Sequence, residues 1–586
     1  MYIIGIHDGH HAGACLFKNG KIISSISEDR LTRNKNEYGF PTNAIKFCLD
    51  KEKIKKDQIS YVAVSTNFLP PKYFKVKRNT TFKLEDYKKE QEEYWYSIFY
   101  KNKKVEYTKI FKNKIVRNQI YDFKFLKNED DFEGMKKIRL NAIMKFFAID
   151  KNKIFFYDHH FCHANYALYS CIDRKKISHV FTCDGGGDGS NGNIWKVEDG
   201  KITKNLYRTN IANIGRIYRY FTLFLNMKPS ENEFKVMGLA GYSEIESSYS
   251  KKAFLILKEV LDINGINFFY KKKIKDLYFY FYEKFKNFRF DTVAFAVQHF
   301  SEYILLKWFR NAQKKFRFTK IAFAGGVAQN IKAIKKILEN SKIDYLYVPP
   351  GAGDESLAIG AVYSFLSSQT KISKISNLYK PYVNCSYDEF DPKKHRLFKF
   401  EISKTSTKKI ARLLSKGNVV GRYVSSGSEF GPRALGNRSI LADPRNSDII
   451  NFVNKKIKVR DFWMPFAPSI IDIMFKKYIK NNNQALPYHM TYSYESTPKA
   501  KIDIPAALHP FDKTTRPQIV NKNINKQYYE LIFEFYKITG VGALLNTSLN
   551  LHGEPIVSDH KSVLKTFKRS GLRYLYIDNY LLKKND

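Results

Sequence analysis

Apolar runs and alternations organise the chain from its first residues. YIIGIHDG and AGACLFKNGKIISSISED read as successive strands of a meander, with Asn19-Gly20 as the tight turn between two of them. That register sets His7 and Asp8 at a strand end. Helical spacing predicts a helix from Pro41 through Asp50, and YVAVST reads as the next strand. Residues from about 70 to 140 carry Lys, Glu, Tyr and Phe at helical spacing, which fits either an inserted cap or lid or a solvated excursion. From 153 a second unit begins, again strand and then helix, followed by hairpins through SHVFTCDGGGDGSNGNIWKVEDGKITKN. Helices dominate 249–315. Then come KIAFAGG, a buried strand ending in glycines; the helix NIKAIKKILEN; the strand YLYVPP; and the helix DESLAIGAVYSFLSS, opened by Asp354 and Glu355.

Two meander-plus-helix units predict an α/β chain whose residues 1–367 form a duplicated nucleotide-binding fold of the actin and sugar-kinase type. Residues 368–405 lack periodicity and hold Pro381, Asn384 and Pro392, which places an interdomain connection there. From 406 to 586 the pattern is mixed α+β, opened by the helix TKKIARLLSKG and the strand NVVGRYVS. A length of 586 residues exceeds one core, and 44% hydrophobic content is ample for two or three. No apolar run is long enough to span a bilayer, and the first strand begins without a signal segment, so a cytoplasmic protein is expected. Six cysteines without Cys-x-x-Cys pairing argue against a disulfide framework or a zinc ribbon. The formal charge of +43 would attract polyanions, but the lysines are dispersed among Ile, Asn, Phe and Tyr, and no nucleic-acid recognition signature accompanies them.

Histidines four apart in DHHFCHANYALYS sit one helical turn apart, so His159 and His163 point the same way and can grip one metal ion. The turn CDGGGDG offers Asp184 as a third ligand, and GAGDES offers Asp354, which can equally serve as a helix cap. Such a mixed nitrogen and oxygen set suits Fe2+, Mn2+ or Zn2+ more than Mg2+. Cys162, on the same face, reads as a packed thiol. In FAGGVAQN, Gly325 and Gly326 permit close backbone approach to a ligand, and Asn330 opens a helix whose N-terminus favours phosphate, a nucleotide-binding pattern. SSGSEFGPRALGNRSILADPRN supplies Arg433, Arg438 and Arg445, either a clamp for phosphate and carboxylate oxygens or partners for Glu429 and Asp443. Lys458 and Arg460 add charge nearby. Asn546, Thr547 and Ser548 in LLNTSLNLHGEPIV can orient a small acyl group or form an ordinary polar turn.

GIHDGHHAGACL, DHHFCHA, CDGGGDG, EFKVMGLAGY, FAGGVAQN, PPGAGDESLAIGA, EFGPRALGNRSILADPRN, PFAPSI and LNTSLNLHGEPIV together resemble, in order, the motif series of the O-carbamoyltransferase family, which includes nodulation-factor and antibiotic carbamoyltransferases. The resemblance implies an actin-like N-terminal domain similar to the tRNA threonylcarbamoyl transferase. It implies a C-terminal domain similar to the threonylcarbamoyl-adenylate synthase fold. The latter would form carbamoyl-adenylate from carbamoyl phosphate and ATP, the ATP accompanied by Mg2+; the former would transfer the carbamoyl group to a hydroxyl of a sugar or secondary metabolite. By motif match, His159, His163, Asp184 and Asp354 would hold the metal, Fe2+ foremost. Arg433, Arg438, Lys458, Arg460, Asn546 and Ser548 would surround the adenylate pocket. Asp8 or His10 would take the acceptor proton. Two positions depart from the family: Ser426-Gly427 replaces Gly-Arg, and Met464 replaces an arginine.

Three other readings compete. Carbamoylation of a thiol would call for an N-terminal acylphosphatase segment and zinc-binding cysteine pairs, both missing from the sequence. Threonylcarbamoylation of tRNA normally resides in separate, shorter proteins. A non-enzymatic, basic nucleic-acid-binding protein would bind unrelated DNA or RNA in a salt-sensitive way and consume no ATP.

Overall fold

The structure is a computed structural model that describes all residues except 118, 245–246, 370–377, 379, 383–385, 395–399, 481–484, 486 and 585–586. Much of the connection expected at 368–405, Asn384 included, lies outside the described residues. The chain divides into two compact units, residues 1–379 and 380–586.

Unit 1 holds two five-stranded sheets of the same topology. In the first, β1 (Tyr2–His7), β2 (Gly13–Lys18) and β3 (Lys21–Ser27) form an antiparallel meander. Asn19 and Gly20, at φ 45° and 91°, supply the left-handed pair its two-residue turn requires. β4 (Ile59–Ser65) then lies parallel to β1, and β5 (Ile154–Tyr157) parallel to β4. In the second sheet β6 (His179–Gly187), β7 (Ser190–Glu198) and β8 (Lys201–Thr209) repeat the meander. A short hairpin, β9 (Leu261–Asn264) and β10 (Asn267–Tyr270), precedes β11 (Lys320–Ala324), parallel to β6, and β12 (Tyr345–Tyr347), parallel to β11. The orders β3-β2-β1-β4-β5 and β12-β11-β6-β7-β8 are therefore one plan used twice, the duplicated α/β architecture that the patterning predicts.

Two expectations need correction. The strand at 153 closes the first sheet and does not open the second unit; the long segment between β4 and β5 is its parallel crossover, and that length hid the pairing. The helical stretch 249–315 is interrupted by the β9–β10 hairpin, whose turn glycine Gly265 has φ 57°.

The helices His159–Ser170 and Leu357–Ser368 cross closely enough that only glycine fits at the contact. A Cβ on Gly360 would fall 2.3 Å from the Cys162 carbonyl oxygen, and one on Gly5 of β1 would fall 2.1 Å from that of Ala358. The segment 70–140 is no solvated excursion. Its short helices bury Phe82, Tyr87, Tyr94, Tyr107 and Phe111 in one aromatic cluster, and Phe74, Tyr121, Met135 and Ile138 in another with Tyr38. Its last helix, Phe132–Phe147, sends Arg139 into the interior of unit 1.

Unit 2 is built on one eight-stranded mixed sheet. In chain order its strands are β13 (Glu401–Lys404), β14 (Val420–Tyr423), β15 (Arg438–Ala442), β16 (Ala467–Ile471), β19 (Gln518–Val520), β20 (Ala543–Ser548), β21 (Tyr574–Ile577) and β22 (Tyr580–Lys583). A separate ribbon pairs β17 (Tyr494–Glu495) with β18 (Thr514–Thr515). Tyr423, Val453, Leu545, Phe567 and Ile577 belong to its core. Among the described residues no helix is long and apolar enough to cross a membrane.

Candidate active site

Asp158 caps the helix His159–Ser170 by accepting from the Phe161 amide at 2.9 Å, which fixes where the helix begins and therefore which face its histidines present. His159 Nε2 and His163 Nε2 stand 3.2 Å apart. Asp184, where β6 runs into its glycine turn, brings Oδ2 to 3.6 Å from His163 Nε2; Asp354 brings Oδ1 to 3.3 Å from His163 and 3.6 Å from His159. One donor atom from each residue lies within 4.8 Å of all the others. Asp354 does not cap its helix. Its Oδ1 is buried without a hydrogen bond among the described residues, as is His163 Nδ1. Burial and the neighbouring Asp184 raise the Asp354 carboxyl to about 7. Burial lowers His163, keeping its ring neutral. Burial alone would raise Asp184, but His163, His159 and the Gly326 amide hold it below the ordinary carboxylate range. Two imidazoles and two crowded carboxylates, one of them orphaned among the described residues, fit a divalent cation: its charge would relieve the carboxylate repulsion that now favours a proton on Asp354.

Asp8 and His10 are in a different state from that expected of a free base. Both Asp8 oxygens are held by Arg139, Nη2 at 2.6 Å and Nε at 2.9 Å, and Tyr121 donates at 2.6 Å. Burial would raise Asp8, but Arg139 and Tyr121 bring it down overall, so it is a weak base. His10 Nδ1 faces Asn79 Nδ2 at 2.7 Å, and that amide is oriented by Arg78 and the Tyr87 hydroxyl, both donating to its oxygen at 3.1 Å. Nδ1 therefore accepts, and the neutral ring carries its proton on Nε2. Of the two residues expected to remove a proton, Asp8 is clamped by Arg139 and Tyr121, and His10 is engaged through Nδ1 by Asn79.

The glycine pair serves the cluster through its backbone. Gly325, at φ 94°, lies so close to Cys183 that a Cβ would fall 2.2 Å from its carbonyl oxygen, and the Gly326 amide donates to Asp184. Asn330 caps its helix through Ala333 at 3.0 Å and exchanges hydrogen bonds with Gln298. Its side chain is thus engaged within the fold.

In unit 2 the predicted residues separate into two groups. Lys458 Nζ is held by Ser548 Oγ at 3.1 Å and by Asn550 Oδ1 at 2.8 Å. Asn546 donates to the Ala434 carbonyl at 3.1 Å and to Ser469 Oγ at 2.9 Å, while its own Oδ1 is buried with no partner among the described residues. Arg433 and Arg460 come together with Arg516, which the sequence reading missed. Burial and these two guanidiniums disfavour the charge on Arg516, and burial lowers Arg460 to about 10. Arg516 Nε and one Arg460 amino group are buried with no partner among the described residues. Arg438 belongs elsewhere: fully buried, it donates to the carbonyls of Val424, Asn437 and Ser558 and stacks 3.8 Å from the Tyr423 ring centroid, bracing the fold. Arg445 pairs locally with Asp443 at 2.6 Å. Glu429 instead accepts the amides of Leu435, Asn437 and Arg438.

The residues missed from sequence share a cause. Arg139, Tyr121, Asn79 and Arg516 lie in stretches without a recognisable motif, and only their partners' chemistry identifies them. A lone arginine before a proline in TRPQIV was the one available signal for Arg516.

Residues 2–363 match the family described as Carbamoyltransferase N-terminus, and residues 411–584 that described as Carbamoyltransferase C-terminus. The uncharacterized protein MJ1051 of Methanocaldococcus jannaschii is 30% identical over 99% of both chains. Nodulation protein NolNO of Sinorhizobium fredii is 26% identical over 99% of this chain and 79% of its own. Among solved structures, component A of the Acidaminococcus fermentans (R)-2-hydroxyglutaryl-CoA dehydratase covers 63% of this chain and 100% of its own, at 12% identity and a TM-score of 0.34. The chain belongs to the carbamoyltransferase family and is a transferase.

Proposed function

We propose that this enzyme makes carbamoyl-adenylate in unit 2 from carbamoyl phosphate and ATP, and carbamoylates a hydroxyl of a sugar or secondary metabolite at the cluster in unit 1. The observation that carries the reading is the convergence of His159, His163, Asp184 and Asp354, in a chain matching both halves of the carbamoyltransferase family. Carbamoyl phosphate loses its phosphate to water; a carbamate oxygen attacks the α-phosphorus of ATP, and pyrophosphate leaves. The acceptor hydroxyl oxygen then attacks the carbamoyl carbon, AMP departs with the electrons of the broken C–O bond, and the hydroxyl proton passes to the departing AMP phosphate.

Arg433, Arg460 and Arg516 suit the first stage, because a group of guanidiniums, two of which carry a buried nitrogen with no partner among the described residues, can stabilise the charge spreading over transferring phosphate oxygens. Asn546 Oδ1, an acceptor without a donor among the described residues, matches the carbamoyl NH2. At the second stage Fe2+, with Mn2+ or Zn2+ as alternatives, would be held by the four cluster residues and act as a Lewis acid toward developing oxygen charge. The Asp8–Arg139 pair holds the end of β1 in place. ATP and carbamoyl phosphate as substrates agree with a cytoplasmic enzyme.

The test is mass spectrometry of pure protein incubated with carbamoyl phosphate, ATP and a panel of sugar acceptors. Wild type should form carbamoyl-adenylate and pyrophosphate. Arg516→Ala should slow pyrophosphate release by about 10²-fold or more. Asp184→Asn should keep pyrophosphate release and lose transfer. Absence of carbamoyl-adenylate from the wild-type reaction would overturn the reading.

A further inference from the structure

Thr66 follows β4 and is a β-branched residue at φ 64°, a left-handed conformation such residues rarely adopt. Two side chains hold it there, Arg139 buried and Asp188 half-buried. Arg139 donates through Nη1 to the carbonyls of Thr66 at 2.8 Å and Asn67 at 3.1 Å, and through Nη2 to that of Ser65 at 3.2 Å. From the other direction the Asp188 carboxylate accepts the amides of Asn67 at 2.9 Å and Phe68 at 2.8 Å, and also the His159 amide at 2.8 Å. Carbonyls gripped by one residue and amides by another leave the turn one conformation, tied to the first residue of the histidine helix. In that conformation Thr66 Oγ1 lies 3.0 Å from His159 Nδ1, and both groups are buried.

We propose that Thr66 is a positioning residue for the divalent ion: its hydroxyl accepts the Nδ1 proton of His159, which leaves Nε2 bare toward His163, Asp184 and Asp354. The inference rests on the metal reading above. Of the two histidines, His159 has its second nitrogen anchored while His163 Nδ1 has no partner among the described residues, and such a hydrogen bond selects the tautomer and stops the ring from rotating. The strain at Thr66 is accounted for in the same way. A relaxed backbone would swing the hydroxyl off His159, and the insert, through Arg139, supplies the grip that prevents it. The insert thereby acts on the ion site without contributing a ligand.

The experiment is titration of the metal-free full-length protein with Mn2+, free Mn2+ being read by its electron paramagnetic resonance signal. Thr66→Val keeps the shape and removes the hydroxyl, and should weaken Mn2+ binding by about 10- to 100-fold. Thr66→Ala should show the same loss, which guards against misfolding of the valine variant. Thr66→Ser retains the hydroxyl and should bind nearly as tightly as the unmodified protein. If valine and alanine variants bind Mn2+ as the wild type does, or if serine loses as much as valine, the proposal fails while the metal site stands. If the wild type binds no Mn2+, both the metal reading and this inference fall.

Discussion

A carboxylate and a guanidinium that leave water together depend on each other. Asp8 and Arg139 are 1% and 0% exposed, and their bidentate contact links the end of β1 to the insert. Removing one member strands the other, so Arg139→Leu should destabilise unit 1 by about 3–5 kcal/mol. Chemical denaturation would measure it, and adding Asp8→Asn should recover part of the loss, because the pair is non-additive. His7 makes a second prediction. Burial pushes its ring from 6.5 down to about 3, with Ser65 and the His10 carbonyl occupying its nitrogens. Between those values the unfolded chain binds a proton that the folded chain refuses. Stability is therefore complete above the unfolded value and falls as pH drops toward 3, with a mid-window slope approaching about 1.4 kcal/mol per pH unit. His7→Gln should flatten that slope in urea melts between about pH 4 and 7. Histidines one turn apart were legible from spacing; the protonation of His7 and His10 was not, because Ser65 and Asn79 are distant in sequence.

Secondary elements carry the site by how closely they approach. A Cβ on Gly360 would meet the Cys162 carbonyl at 2.3 Å, against backbone that cannot yield cheaply. Gly360→Ala should push the helices His159–Ser170 and Leu357–Ser368 apart, cost about 1–3 kcal/mol in a thermal or chemical melt, and weaken Mn2+ binding, since Asp354 enters with the second helix. Gly187 is tighter against the site: a Cβ there would fall 2.3 Å from the His159 ring. Strands and helices of strong period, such as β1 to β4 and the helix Ile331–Asn340, were readable in advance. β5 was assigned to the wrong unit because its partner β4 lies beyond the insert, and sequence pattern reports a strand without reporting its neighbour.

Each unit of the whole molecule has its own sheets and core, so calorimetry should resolve two unfolding transitions. Mn2+ should raise the one belonging to unit 1, and carbamoyl phosphate with a non-hydrolysable ATP analogue the one belonging to unit 2, since each ligand stabilises only the fold that binds it. A single transition moved equally by both would show the units to be thermodynamically one. At this scale the order of hydrophobic segments and the nine motifs in series determined the duplicated α/β plan, the separate C-terminal unit and the carbamoyltransferase family, because periodicity and local turn chemistry are written along the chain. Tertiary structure alone decided that Arg139 clamps Asp8, that Arg516 joins Arg433 and Arg460 while Arg438 braces the core, and that Thr66 meets His159. Those pairings join residues far apart in sequence whose partners are chosen by burial, and a side chain's burial is known only when the surfaces that cover it have folded.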